Sequence, residues 1–208
     1  GLPENSLKQE KNITYFSEKD LYKNQNLNNT YLQTKFEAEK IILDEVSNNK
    51  LNATIFRMGN ISNRYLDGKF QINANENAFV NRIKAIIKLG IIQNGFKNHS
   101  TEFAPVDFCA KAIINLIQSN PKFTIFHIFN NKLISFIDLV NFINELNIKV
   151  DFVTDEEFSK KVSNYLKDPI LKNDISGIVT DLDSEKKFKI VSNILMDCNF
   201  SAKYLNTI

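Results

Sequence analysis

The 208-residue sequence contains no tryptophan, only two cysteines, two histidines, four prolines and six glycines, and its 26 Lys and Arg nearly balance 24 Asp and Glu. Each scarcity removes a class of protein. Cys109 and Cys198 lie far apart in apolar settings, so neither a CxxC redox pair nor a cysteine metal cluster can be written, and reduced, buried thiols are expected. His99 and His127 belong to no HxxxH or HExxH pattern, and His127 falls inside the strand-like run Thr124-Ile125-Phe126-His127-Ile128-Phe129, so no metal site is expected. A net charge of +2 without a basic block leaves no electrostatic footprint for nucleic acid. Apolar runs are short and interrupted, far below the ~20 residues that cross a bilayer. The opening Gly1-Leu2-Pro3-Glu4-Asn5 lacks the basic and apolar regions of a secretory leader. A cytoplasmic, globular chain is the expectation, long enough to bury a core without disulfide or metal staples.

The glycines stand at positions 1, 59, 68, 90, 95 and 177, so no GxGxxG phosphate-binding turn exists. What is present is an alternation of helix and strand. The first thirty residues read as polar and irregular, with Asn24 to Thr30 (NQNLNNT) supplying turn and capping chemistry. Tyr31 to Val46 reads as a helix with Leu32, Phe36, Leu43 and Val46 on one side. Asn52 to Ile61 reads as a strand broken at Gly59-Asn60, followed by a loop from Ser62 to Asn75 and a helix from Glu76 that stops at Gly90. Thr101 to Val106 is extended, and Asp107 is placed as the N-cap of a helix over Phe108 to Gln118. Thr124 to Phe129 and Lys149 to Thr154 are further strands, with a helix from Ser135 to Leu146 between them. Helices over Asp155 to Leu166 and Ser184 to Met196 are expected to close the chain, interrupted at Pro169. This order predicts an α/β fold with parallel strands, because each crossover carries a helix. With so few strands and no glycine-rich turn, the choice is between a different α/β fold and the back half of a nucleotide-binding domain.

The residues best suited to chemistry are Tyr31 and Lys35, a YxxxK pair one turn apart on one helix face. A tyrosine hydroxyl with a pKa near ~10 is a poor acid–base group at neutral pH unless a cation stabilises its phenolate, and Lys35 supplies one. The ammonium also has donors to spare for a ribose diol. Alone, the spacing is common on ordinary helices. Its context narrows the reading: Phe36-Glu37-Ala38-Glu39 follows the pair, Arg57-Met58-Gly59-Asn60-Ile61 ends the next strand, Asp67-Gly68-Lys69-Phe70-Gln71 lies downstream, and Pro105-Val106-Asp107 opens another helix.

This ordered set resembles the C-terminal part of the extended short-chain dehydrogenase/reductase family, and within it the thioester reductase domains of nonribosomal peptide synthetases and carboxylic acid reductases. The resemblance covers nearly the whole chain, including Asn77 and the closing region from Asp197 to Leu205. It implies the C-terminal portion of a Rossmann-like doubly wound parallel sheet, with the N-terminal dinucleotide-binding strands absent, plus a mainly helical substrate-binding subdomain. Residues 1–63 and 101–131 would belong to the cofactor domain, and residues 64–100 and 132–208 to the substrate side. Tyr31 would be the general acid and Lys35 its electrostatic partner and ribose ligand, while Gly59, Asn60 and Ile61 would lie against the nicotinamide. The cofactor implied is NADPH, with NADH possible, and no metal. The substrate would be an acyl or peptidyl thioester on a carrier protein's phosphopantetheine, released as an aldehyde or alcohol. The family's phosphate loop and catalytic Ser or Thr precede the tyrosine helix and are absent from this sequence, so the chain is expected to be a fragment, inactive alone, whose partner is the missing N-terminal half. Arg57 reads as an ion-pair partner. Phe70, Phe79, Phe136, Phe142, Phe152, Phe158 and Tyr165 suit either a tunnel wall or, more simply, a core. Two alternatives stay open: a nucleotide-sugar epimerase or dehydratase, against which the lack of an arginine cluster argues, and an incompetent fragment that serves as a carrier-docking scaffold.

Overall fold

The computed structural model describes residues 14–22, 27, 30–119, 125–188 and 194–205. In chain order the elements are β1 (Thr14–Phe16), α1 (Thr30–Ser47), β2 (Ile55–Met58), β3 (Ile61–Ser62), α2 (Ala78–Leu89), β4 (Ile91–Gln93), β5 (Ser100–Thr101), β6 (Ala104–Pro105) and α3 (Val106–Gln118). They continue with β7 (Ile125–Ile128), β8 (Ile134–Ser135), α4 (Phe136–Glu145), β9 (Asp151–Val153), α5 (Asp155–Lys167), α6 (Pro169–Asp174), α7 (Ser176–Val179), β10 (Ile194–Met196) and α8 (Asn199–Leu205). The α/β class with parallel pairing is as expected: β1 runs parallel to β10, β2 to β7 and β4 to β9, while the short β5 and β8 pair is antiparallel.

The described residues divide into two compact units, one drawn from residues 1–59, 104–131 and 191–208, the other from 60–103 and 132–190. In the first, β2 and β7 pair in register from Ile55 and Ile125 to Met58 and Ile128. Phe126 is fully buried between Phe56 and Phe200, with ring centroids 6.1 and 5.8 Å away, and Tyr204 meets it edge-on at 5.5 Å. Leu116 and Cys109 of α3 complete this core. Helix α1 contributes no fully buried side chain; Leu32, Phe36, Leu43 and Val46 form a half-buried stripe on it, as their spacing predicts.

The second unit is mainly helical, and its helix ends follow local chemistry. Asn77 caps α2 by accepting the Val80 amide at 2.9 Å, and Gly90 ends it in the left-handed region at φ 69°. Ser135 caps α4, Thr154 and Glu157 form a reciprocal capping box on α5, and Asp168 followed by Pro169 starts α6. Leu89, Ile92, Phe158, Ile175 and Ile178 are essentially inaccessible at its centre. Phe79 and Phe136 are also buried, Phe152 and Tyr165 pack half-buried against the core, and Phe142 is exposed.

Several expectations are corrected. The opening is not wholly irregular, because Thr14–Phe16 is a strand held by β10, and the Asp197 amide extends the ladder to the Phe16 carbonyl at 2.9 Å. Within the expected helix over Ser184 to Met196 the described residues are not helical: residues 183–187 make a turn that closes a bridge between Leu182 and Phe188, and Ile194–Met196 is strand. The pull of a parallel partner overrides helical propensity there. Helix α3 begins at Val106 with Pro105 as its N-cap, so Asp107 is inside the first turn, where its carboxylate accepts the Phe108 amide at 3.1 Å. Cys198 is only half-buried. By compactness alone, residues 191–208 group with the first unit and residues 101–103 with the second, and the first changeover falls after Gly59. The capping segment at 24–26 and 28–29, the Gly1 to Asn5 start and Thr124 lie outside the described residues.

Candidate active site

Helix α1 carries the candidate pair. Tyr31 stands in its first turn with 66% of its surface exposed, and the Lys35 ammonium lies 5.5 Å from the centre of the Tyr31 ring. The i, i+4 spacing therefore does what it predicts: phenol and cation share one face, the charge close to the aromatic ring. Thr34 donates its hydroxyl to the Tyr31 carbonyl at 2.9 Å within the same turn.

One turn beyond Lys35, Glu39 turns inward and pairs with Arg57 of β2. Arg57 Nε donates to both carboxylate oxygens, at 3.1 and 3.2 Å, and Nη2 donates to Oε1 as well. Only 13% and 18% of the two side chains remain exposed. The expected ion-pair role of Arg57 is thus met, by a partner on the tyrosine helix. Arg57 also sits over the Phe16 ring at 5.3 Å and reaches the Ser17 carbonyl at 3.4 Å. Its Nη1 lies 3.0 Å from Nε2 of the buried His127, whose Nδ1 is 2.8 Å from the Asp197 carbonyl. Because guanidinium only donates and a carbonyl only accepts, His127 must carry its proton on Nδ1 and present Nε2 as a lone pair. Burial pushes the His127 pKa below the usual histidine value, against the Asp197 carbonyl and the charges of Glu18 and Glu39, which favour protonation, and with that of Arg57, which opposes it. Below this network the buried Glu18 accepts both the amide and the hydroxyl of Ser201, at 3.0 and 2.7 Å, and the Ser201 hydroxyl accepts the His127 amide at 2.8 Å.

The Gly59-Asn60-Ile61 turn stands where the chain leaves β2 and changes unit. Gly59 belongs to the first unit and donates its amide to the Ile128 carbonyl at 3.0 Å, while Asn60 and Ile61 open the second. The Asn60 amide is taken by Oε1 of the buried Glu102 at 2.8 Å. Both leading amides of the turn are therefore engaged within the protein. All three residues are half-buried, so the turn offers a packing surface rather than a row of N–H donors. Tyr31 and Lys35 fit a nicotinamide dinucleotide differently: an accessible phenol and ammonium, one helical turn apart, match a carbonyl oxygen and a ribose diol. Among the described residues no group of three or more His, Cys, Asp or Glu is arranged to hold a metal ion, and no helix is long and apolar enough to cross a membrane.

Sequence reasoning did not select Glu18, Glu102 or His127. The signal for Glu39 was present, since it continues the 31, 35 series by one further step of four, but nothing in the local sequence of Glu18 or Glu102 announces partners 183 and 42 residues away.

An α/β fold of parallel strand pairs, with an exposed tyrosine and lysine on the helix that precedes a strand followed by Gly-Asn, is the arrangement expected of the extended short-chain dehydrogenase/reductase class. Residues 2–113 match the family model of the NAD-binding male sterility proteins, and the chain belongs to that family. It is similar to the thiolation-reductase di-domain of an archaeal non-ribosomal peptide synthetase, at 30% identity and a TM-score of 0.76, over 98% of this chain and 42% of that one. The reductase domain of the aureusimine biosynthetic cluster shares 26% identity with a TM-score of 0.71, over 95% and 49%. The terminal R domain of the myxalamid PKS-NRPS pathway has the same fold, with a TM-score of 0.74 at 17% identity, over 93% and 48%. The chain thus spans less than half the length of each of these three structures. No curated protein matches it.

Proposed function

We propose that the chain serves the reductive release of an acyl or peptidyl thioester from the phosphopantetheine arm of a carrier protein, with NADPH as reductant. The observation that carries this reading is the Tyr31 and Lys35 pair, exposed together on α1, in a member of an NAD-binding family. The resemblance to a thiolation-reductase di-domain at 30% identity supports the carrier-bound thioester as substrate. When bound, the dinucleotide supplies the hydride. Tyr31 places its O–H at the thioester carbonyl oxygen, where negative charge gathers as the carbon is reduced, and donates the proton that this oxygen takes up. Lys35 holds its positive charge beside the phenol, favouring the phenolate left behind, and offers its remaining donors to the ribose hydroxyls. The Gly59-Asn60-Ile61 turn packs against the nicotinamide end. Expulsion of the pantetheine thiol from the reduced carbon leaves an aldehyde, and a second hydride gives the alcohol. In this reading the first unit is the cofactor side and the second the substrate side.

The test is NADPH oxidation with hexanoyl-phosphopantetheine, run on this chain and on a form extended upstream to the length of its relatives, each with and without Tyr31→Phe. Turnover in either form that Tyr31→Phe abolishes while NADPH affinity is kept supports the assignment. Turnover unchanged by Tyr31→Phe removes Tyr31 from the chemistry. NADPH binding without thioester reduction in either form removes the substrate.

A further inference from the structure

We propose that Arg57, itself oriented by His127, is a positioning residue that sets helix α1, and with it Tyr31 and Lys35, through Glu39. The inference rests on the reading of Tyr31 and Lys35 given above. Helix α1 buries no side chain completely, so close packing does not fix its rotation and axial position as it fixes those of α2 or α5. The half-buried stripe of Leu32, Phe36, Leu43 and Val46 tolerates sliding, because apolar contact is not directional. The Glu39 and Arg57 contact is directional. A guanidinium fork holding one carboxylate through Nε and Nη2 is met at one rotation of the helix and one height along it. A slip of one residue moves a helix by about 1.5 Å and turns it by about 100°, which breaks the fork.

Arg57 can act as a reference point because it is held from every side. Phe16 lies under its plane, the Ser17 carbonyl and His127 Nε2 take Nη1, and Glu39 takes the other edge. His127 is fixed in turn by the Asp197 carbonyl and, through its amide, by Ser201. The anchor therefore ties α1 to β2, β7 and the segment leading into α8, all in the first unit. Glu39 stands four residues beyond Lys35 and eight beyond Tyr31, about 6 and 12 Å along the axis. A small tilt at Glu39 is thus magnified at the phenol. An error near 1 Å at a reacting group costs about 100-fold in rate, so loss of the fork is expected to reduce turnover by about 10- to 100-fold.

The experiment compares wild type, Arg57→Lys and Glu39→Gln in the full-length protein, with three readouts. The first is thermal unfolding. The second is ¹⁹F NMR after 3-fluorotyrosine incorporation, in which the Tyr31 resonance is identified by its loss in Tyr31→Phe. The third is turnover of NADPH with hexanoyl-phosphopantetheine. Expected is a shifted or broadened Tyr31 resonance with an unmoved Tyr165 resonance, and a kcat lowered about 10- to 100-fold with little change in KM. Glu39→Gln, which keeps one acceptor for the fork, should lie between wild type and Arg57→Lys in both respects, and it carries the test if Arg57→Lys does not fold. A Tyr31 resonance that stays in place while the melting temperature falls would overturn the proposal and leave the pair as stability alone. Should Tyr31→Phe itself leave turnover intact, the functional reading fails, while the NMR result still decides whether Arg57 sets α1.

Discussion

Substituting Gly177 by alanine tests how tightly the second unit is packed. Gly177 lies in α7, between the fully buried Ile175 and Ile178, with its Cα against the backbone of α2. A methyl group there would fall well inside contact distance of the Asn81 carbonyl carbon and oxygen and 2.9 Å from the Arg82 nitrogen, all of them backbone atoms that cannot rotate away. Relief requires α7 to back off from α2, which loosens Ile175 and Ile178 and strains the Arg82 and Asp181 ion pair at 2.6 Å. Two effects of opposite sign compete. Alanine in place of glycine in a helix gains about 1 kcal/mol, whereas forcing a methyl into a closed interface costs typically about 1–3 kcal/mol and occasionally more. With rigid backbone on the far side the clash should win, for a net loss of about 1–3 kcal/mol, read as a lower urea midpoint and a melting temperature reduced by about 2–4 °C per kcal/mol. Gly95→Ala is the control, because a methyl there meets nothing within 4 Å, and it should change stability by less than about 0.5 kcal/mol. A Gly177→Ala protein as stable as wild type, or more so, would refute the reasoning, since only helix preference would then be in play.

Three further outcomes are expected. His127 is buried and its folded-state pKa is depressed, so the unfolded chain binds the proton first. Stability should therefore fall as pH drops below the unfolded value near ~6.5, with a slope of up to about 1.4 kcal/mol per pH unit, until the folded-state pKa is reached. His127→Gln keeps an acceptor for Arg57 and a donor for the Asp197 carbonyl, so urea titrations between pH 5 and 6.5 should lose that slope, and an unchanged slope would assign it to other groups. Phe126→Ala, at a fully buried position between Phe56 and Phe200, should cost about 3–5 kcal/mol by the same titration, and a loss under about 1 kcal/mol would contradict the packing described. Asn77→Ala removes the cap of α2 and should cost about 1 kcal/mol while Asn77→Asp costs little; equal losses would show that the cap is not what matters.

What the sequence made legible follows the range of the interactions involved. The helices α2, α4 and α5 were readable from their local runs of helix-forming residues and from the stop at Gly90, although the caps Asn77 and Thr154, each within three residues of the amide it satisfies, were not picked out. The Tyr31 and Lys35 pair was readable because helix geometry alone brings i and i+4 together. β1 and β10 were not, since each has only three residues and no amphipathic pattern, and exists because the other is beside it. The helix start was placed two positions late, at Asp107, because Pro105, with its fixed φ and extended ψ of 128°, already serves as the boundary. The buried carboxylates Glu18 and Glu102 look like surface residues in the sequence, and only the folded chain supplies the Ser201 and Asn60 amides that make their burial tolerable.

The pairing of β1 with β10 also fixes an order of assembly during synthesis. Thr14 waits for Ile194, so at a ribosomal rate of about 5–20 residues per second the first unit stays incomplete for roughly 10–35 s after its opening strand is made. All residues of the second unit are made before β10 is reached, and its parallel pair β4 and β9 closes within a stretch of chain from Ile91 to Val153. The mainly helical unit can thus be in place first, while the half that carries Tyr31 and Lys35 is the last to close, when Ser201 arrives to cap Glu18. The tyrosine helix acquires its surroundings only once the segment from Ile194 to Ser201 has been made.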